Sequence, residues 1–183
     1  MQKFKTLEDK IRYEEKQPTT FDQLRYSLKN DVTIFDYTDL ANINNIEQLF
    51  ENSLNVIIFF PVENEFQGHY TCMMYYPDNH VISYFCPYGM SPFRNIILSN
   101  YLKKFDESML RVLPNLIKNF CKNGGKFLIN SYPIQSKKNN ISTCGKHCTM
   151  RLLNREIVDP NEYKNFLQMY SLSADQIVSL VFL

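Results

Sequence analysis

Residues 135–148, Q-S-K-K-N-N-I-S-T-C-G-K-H-C, hold the side chains best suited to do chemistry in this chain. Cys144 follows Ser142 and Thr143 and precedes Gly145, and residues 146–157 then carry apolar side chains at helical spacing. This pattern places Cys144 at a helix N-terminus. There, free backbone N–H groups and the positive end of the helix dipole favour a thiolate, so Cys144 is expected to be a low-pKa nucleophile. Gly145 leaves its approach uncrowded. The bland alternative is that Cys144 and Cys148, four residues apart, are both core. A zinc site is the other: Cys144, His147 and Cys148 offer three ligands. A structural site takes four, commonly from two separated pairs, and His69, His80, Cys72 and Cys86 form no second pair. No metal and no cofactor is expected.

Acyl transfer by a cysteine also needs an imidazole to take and return a proton, and donors aimed at the tetrahedral oxyanion. Of the three histidines, His80 falls in a turn and His147 lies three residues along the helix from Cys144, pointing away from an in-line pairing. His69 is the base this leaves. The side-chain amide of Gln135 and the backbone N–H of Cys144 would form the oxyanion hole.

The elements that must position these groups follow from pattern. Residues 70–76 and 81–85 read as two strands around the turn formers Pro77, Asp78 and Asn79, paired so that residue numbers sum to about 157. That register brings His69 within a couple of residues of Cys86 and leaves Asp78 on the order of 25 Å away, at about 3.3 Å per residue. Asp78 and Asn79 therefore cannot orient His69. Residues 55–60, N-V-I-I-F-F, read as a buried strand stopping at Pro61, and residues 126–131 as a strand leading toward Gln135. Helices are expected over 21–30 behind Thr20, over 45–52, from Ser91-Pro92 to about Phe105, over 109–122, from Asp159-Pro160 to about Tyr170, and from Ser173 to Leu183.

The run from His69 to Ser91, H-Y-T-C-M-M-Y-Y-P-D-N-H-V-I-S-Y-F-C-P-Y-G-M-S, followed by Q-S and C-G-x-x-C between Gln135 and Cys148, resembles the adenovirus maturation endopeptidase. That adenain-like family shares a fold group with the proteases that process ubiquitin-like proteins. The resemblance covers about the central half of the chain in three ordered blocks. It implies His69 as base, Gln135 as oxyanion donor and Cys144 as nucleophile. It also implies an α+β, papain-like fold, with a central mixed sheet packed against the helix carrying the nucleophile. Tyr70 would stand where the family usually has Trp, walling a narrow cleft for small substrate residues.

Two positions depart from the family. The interval between Gln135 and Cys144 is longer, so the oxyanion loop must bulge. The seventeenth position after His69, where the family has Asp or Glu, is Cys86. A thiol is a poor acceptor, and loss of the orienting carboxylate in a triad can cost about 10⁴ in rate. Either a Cys144–His69 pair works alone, or another acceptor reaches His69, or the enzyme is weak until activated.

A chain of 183 residues, 44% hydrophobic, suits one domain over 1–183, with residues 1–18 as a helical arm or mobile leader. A formal charge of +1 with both signs dispersed argues against a dominant nucleic-acid surface; a nucleic-acid or peptide activator is compatible but not indicated. The start lacks a signal peptide's apolar run and no apolar stretch is long enough to span a bilayer, so no membrane partner is expected. Five cysteines then read as free thiols. Nineteen asparagines against two alanines suggest an AT-rich genome, such as that of a virophage. The implied activity is maturation cleavage of capsid or scaffold precursors, in the virion and the host-cell cytoplasm. A deubiquitinase-like or SUMO-protease-like isopeptidase is the rival enzyme reading. A non-catalytic binding module that kept the cleft is the rival from another class.

Overall fold

The computed structural model describes residues 4–138 and 141–182. The fold is α+β, built on a five-stranded mixed sheet in the order β1-β2-β3-β4-β5. Strand β1 (Thr33–Asp36) runs parallel to β2 (Asn55–Asn64). Strands β2, β3 (Gln67–Tyr76) and β4 (Val81–Phe85) form an antiparallel meander, and β5 (Lys126–Ile129) closes the sheet parallel to β4. The expected register holds: Cys72 faces Phe85 and Tyr76 faces Val81.

The central strands read as apolar runs because both of their faces are covered. Val56, Ile58, Phe60, Met73, Ile82, Tyr84 and Cys86 point to one core, with Ile96 of α3 (Pro92–Leu98) and Leu113, Leu116 and Phe120 of α4 (Glu107–Lys122). Ile57, Phe59, Tyr70, Cys72, Met74 and Phe85 point to the other. They meet Leu24 of α2 (Phe21–Ser27), Cys148 and Leu152 of α5 (Cys144–Leu153), Tyr163 and Leu167 of α6 (Tyr163–Gln168) and Ile177 of α7 (Ala174–Ser179). Period-two alternation thus sends Tyr70 toward α5 and His69 toward α3.

Several boundaries differ from expectation. β2 continues through Pro61 to Asn64, because Pro61 lies opposite Gly68 at a register shift and its carbonyl is taken by the Ser99 hydroxyl. Gly68 is required there: a Cβ would meet the Phe60 carbonyl at 2.1 Å. The helix after Pro92 ends at Leu98, the strand after Lys126 ends at Ile129, and the expected helix over 45–52 is a 3₁₀ turn, Ile46–Phe50. α6 begins at Tyr163, and α7 passes into a 3₁₀ turn, Leu180–Phe182; the expected end at Leu183 lies outside the described residues. β1, four half-buried residues, was not expected at all. Pro114 sits inside α4, where it cannot donate to Leu110; the Tyr37 hydroxyl reaches that carbonyl instead, at 3.4 Å. The first residues form α1 (Leu7–Glu14), capped by Thr6 and packed near α7, rather than a free leader; residues 1–3 lie outside the description.

Candidate active site

Cys144 is the first residue of α5, which packs across β3, and its sulfur faces the backbone N–H groups of Tyr70 and Gly145 as well as its own. Cys144, Gln135, Tyr70 and Gly68 line one cavity of about 170 Å³, together with Tyr88, Phe59, Ile141 and the N-terminal residues Pro18 and Thr19. The aromatic side chains make it narrow. Tyr70 packs its ring on Phe59 at 5.1 Å and on Phe21 at 5.9 Å, and its hydroxyl donates to the Thr19 carbonyl at 2.9 Å. Gly145 clears room for the protein itself, since a Cβ there would come within 2.7 Å of Thr19 and 3.2 Å of Tyr70.

His69 is 7% exposed, stacked on Phe60 and edge-on to Tyr88, with ring centroids 5.7 Å apart in both pairs. Its Nε2 lies 2.9 Å from Oδ1 of Asn95, in the first turns of α3. Asn95 Nδ2 donates to the Tyr84 hydroxyl at 2.7 Å, with Oδ1 turned toward the imidazole. Nε2 therefore carries the proton, and Nδ1 is the basic nitrogen. Among the described residues no hydrogen bond joins Cys144 to His69 directly; Tyr88, which touches the imidazole and lines the cavity, lies between the two neighbourhoods.

Cys86, at the family's acid position, has no hydrogen bond to His69 among the described residues. Its sulfur meets the Asn95 amide nitrogen at 3.8 Å, and its backbone is pinned by Asn130, which accepts from Cys86 N–H and donates to Cys86 C=O, both at 2.8 Å. The orienting group is Asn95, nine residues further on. The Ser91-Pro92 start of α3 is visible in the sequence, but the direction in which that helix folds back over His69 is not, so Asn95 carries no signal of its own there.

Gln135 is 3% exposed; its Nε2 donates to Ile141 C=O at 3.4 Å and its Oε1 has no hydrogen-bond partner. One Nε2 proton remains for a ligand in the cavity. Of the loop expected to bulge between Gln135 and Cys144, residues 139 and 140 lie outside the described part. Both ends of that loop are held by Asp175 of α7, which sequence reasoning also missed. Asp175 accepts from Ser136 N–H at 3.0 Å, from the Thr143 hydroxyl at 2.5 Å and from His147 Nε2 at 3.0 Å. His147 is thus committed away from Cys144. Burial opposes the Asp175 charge, but the His147 bond, with those of Thr143 and Ser136, outweighs it and keeps the carboxyl below its usual range.

Burial pushes the Cys144 thiol up, against the pull of the surrounding N–H groups and of Lys146, so the expectation of a depressed thiol pKa is not met. Burial also lowers His69 to about 4, partly opposed by Asn95. The resting pair is thiol and neutral imidazole. For stability the sign is fixed: between about 4 and the ordinary 6.5 the unfolded chain binds the proton and the folded chain does not. The folded state should therefore lose on the order of 3 kcal/mol as pH falls through that window. Urea unfolding of the parent and of His69→Gln at pH 7 and pH 4.5 checks this: the parent should lose more stability than the variant.

Among the described residues, no group of three or more His, Cys, Asp or Glu side chains could hold a metal ion, and no helix is long and apolar enough to cross a membrane. No family model matches the chain. It is 26% identical over 174 residues to "Uncharacterized protein V9" of Sputnik virophage, covering 92% of this chain and 95% of that protein. Two structures of the Ulp1 SUMO protease align at 14% identity and a TM-score of 0.38 over 94% of this chain. One is the yeast C-terminal protease domain in complex with Smt3, 74% covered; the other, with the catalytic cysteine oxidised to a sulfinic acid, is 75% covered.

Proposed function

We propose that the protein is a cysteine peptidase, and specifically an endopeptidase that cuts viral capsid or scaffold precursors at small residues during maturation. The observation that carries the reading is the Tyr84–Asn95–His69 chain, which holds a buried imidazole in one tautomer beside the cavity that contains Cys144 and Gln135.

In the proposed reaction the thiol and imidazole start neutral. As the Cys144 sulfur attacks the scissile carbonyl carbon, His69 Nδ1 takes the thiol proton, and the tetrahedral oxygen gains hydrogen bonds from Gln135 Nε2 and Cys144 N–H. The imidazolium then protonates the departing amine, leaving a thioester. Water, deprotonated by the same nitrogen, attacks the thioester and frees the acid and the thiol. Close approach of Nδ1 to sulfur is a feature of the substrate complex, since catalytic hydrogen bonds are often long before substrate binds. The cavity lining, with the rings of Tyr70, Tyr88 and Phe59 beside Gly68, suits an extended chain with small side chains next to the cut. Similarity to a virophage protein supports a viral substrate.

Incubation with capsid precursors of a virophage and, in parallel, with a ubiquitin-like precursor tests the assignment. Cleavage of the former is expected, with Gln135→Ala folded but slower by about 10² to 10³, the usual loss for one oxyanion donor. Cleavage of the ubiquitin-like precursor alone would replace maturation with isopeptidase activity. Parent-like turnover by Gln135→Ala would remove that residue from the oxyanion hole.

A further inference from the structure

A second cavity, of about 470 Å³, adjoins the one that holds Cys144 and shares Tyr88 and Ile141 with it. It is lined by three cations, Arg94 of α3 and Lys137 and Lys138 of the segment that follows Gln135, and by no carboxylate among the described residues. All three are exposed, and none forms an ion pair among the described residues; Glu15 acts on Lys138 through its field without bonding to it. The walls are tied together. Ile134 and Gln135 N–H both donate to Pro87 C=O, at 2.8 and 3.0 Å, and Ser136 N–H is held by Asp175 at 3.0 Å. Gly89, at φ +67°, packs so closely on this segment that a Cβ would come within 2.3 Å of the Tyr132 carbonyl carbon.

Three like charges around one concavity repel one another. An anion that enters relieves the repulsion and gains charge-assisted hydrogen bonds, bidentate at the guanidinium. Position says where that anion comes from. Lys137 is two residues beyond Gln135, so its backbone lies within about 7 Å of the proposed oxyanion donor, at roughly 3.3–3.6 Å per residue. An extended chain leaving the Cys144 cavity past Tyr88 and Ile141 enters this pocket. A polynucleotide would need cations along a longer track, and the charges of this chain, +1 in sum, are dispersed. Resting on the cysteine-peptidase reading, we propose that the pocket is an anion subsite of the substrate cleft, in which Arg94, Lys137 and Lys138 bind the carboxylate of an aspartate or glutamate a few residues from the scissile bond.

The probe is a set of internally quenched peptides with Gly-Gly at their centre, in which a single Glu is moved through positions about two to four residues to either side, each compared with its Gln counterpart. At about 50 mM salt one Glu position should raise kcat/KM about tenfold over Gln, and at about 500 mM the gain should shrink to about twofold, because salt screens exposed charges. In Arg94→Gln/Lys137→Gln the Glu/Gln ratio should fall to about one; it is taken within one protein, so a general change in rate does not enter it. No Glu preference at any position, or a preference that survives the double variant, would overturn the inference. Binding of a labelled single-stranded oligonucleotide that the double variant loses, with no Glu preference in the parent, would give the pocket to nucleic acid instead. Anisotropy of labelled Glu and Gln peptides on Cys144→Ala separates the two readings. A parent that turns over no peptide faster than Cys144→Ala defeats the peptidase reading, whereas equal Kd for Glu and Gln peptides defeats the anion subsite.

Discussion

Cys144→Ala is expected to abolish peptide hydrolysis with the fold intact, and Cys144→Ser to lower kcat by about 10⁴ to 10⁶, the range spanned by losses of single members of a catalytic set. The side chain is partly buried at the wall of a cleft and packs against the edge of the core under α5, so Ala removes one sulfur atom from that edge and leaves the core itself in place. Serine keeps the shape but raises the pKa of the attacking group far beyond what a neutral imidazole lowered to about 4 can deprotonate. Parallel circular dichroism and initial rates on the same peptide check the pair. A folded Cys144→Ala variant with measurable hydrolysis would move the nucleophile elsewhere.

The next largest effect belongs to Asn95. Asn95→Ala should lower kcat by roughly 10³, somewhat less than the about 10⁴ that accompanies loss of a charged orienting residue. Without the amide nothing holds the proton on Nε2, and the imidazole is free to carry it on Nδ1, where it cannot accept from the thiol. Asn95→Asp is a sharper test, because a carboxylate beside the ring favours the imidazolium and should raise the pKa of His69 from about 4. The acid limb of the kcat profile should therefore move to higher pH. Tyr84→Phe should resemble a mild Asn95→Ala, since it releases the amide without removing it. An acid limb that stays put in folded Asn95→Asp would show that Asn95 does not touch the working base.

Much of this arrangement is legible in the sequence. The turn formers at 77–79 set the β3–β4 register, and the apolar run at 55–60 marked the central strand. The Ser-Thr-Cys-Gly sequence marked the start of α5. Local patterns set all three. Asn95, Asp175 and Thr19 were not legible, for a shared reason: each reaches the site from an element whose direction is decided by tertiary packing. Asn95 depends on the tight turn at residues 86–89, where Gly89 adopts φ +67° and its N–H returns to Cys86 C=O, folding α3 back over His69. Asp175 depends on the docking of the last helix, and Thr19 on bonds from Tyr70, Ser142 and Lys146 that span more than fifty residues. The raised thiol pKa is not legible in sequence because the dipole of α5 is a local feature and burial is not.

The central claim, that Cys144 is a nucleophile driven by an Asn95-held His69, meets its most direct test in covalent trapping. A peptide vinyl sulfone ending in glycine, followed by intact mass and peptide mapping, should give a single adduct on Cys144. It should form at least about tenfold more slowly in His69→Ala and Asn95→Ala, because attack needs the imidazole to take the thiol proton. Equal rates in parent and His69→Ala, or an adduct on the exposed Cys121 in place of Cys144, would contradict it.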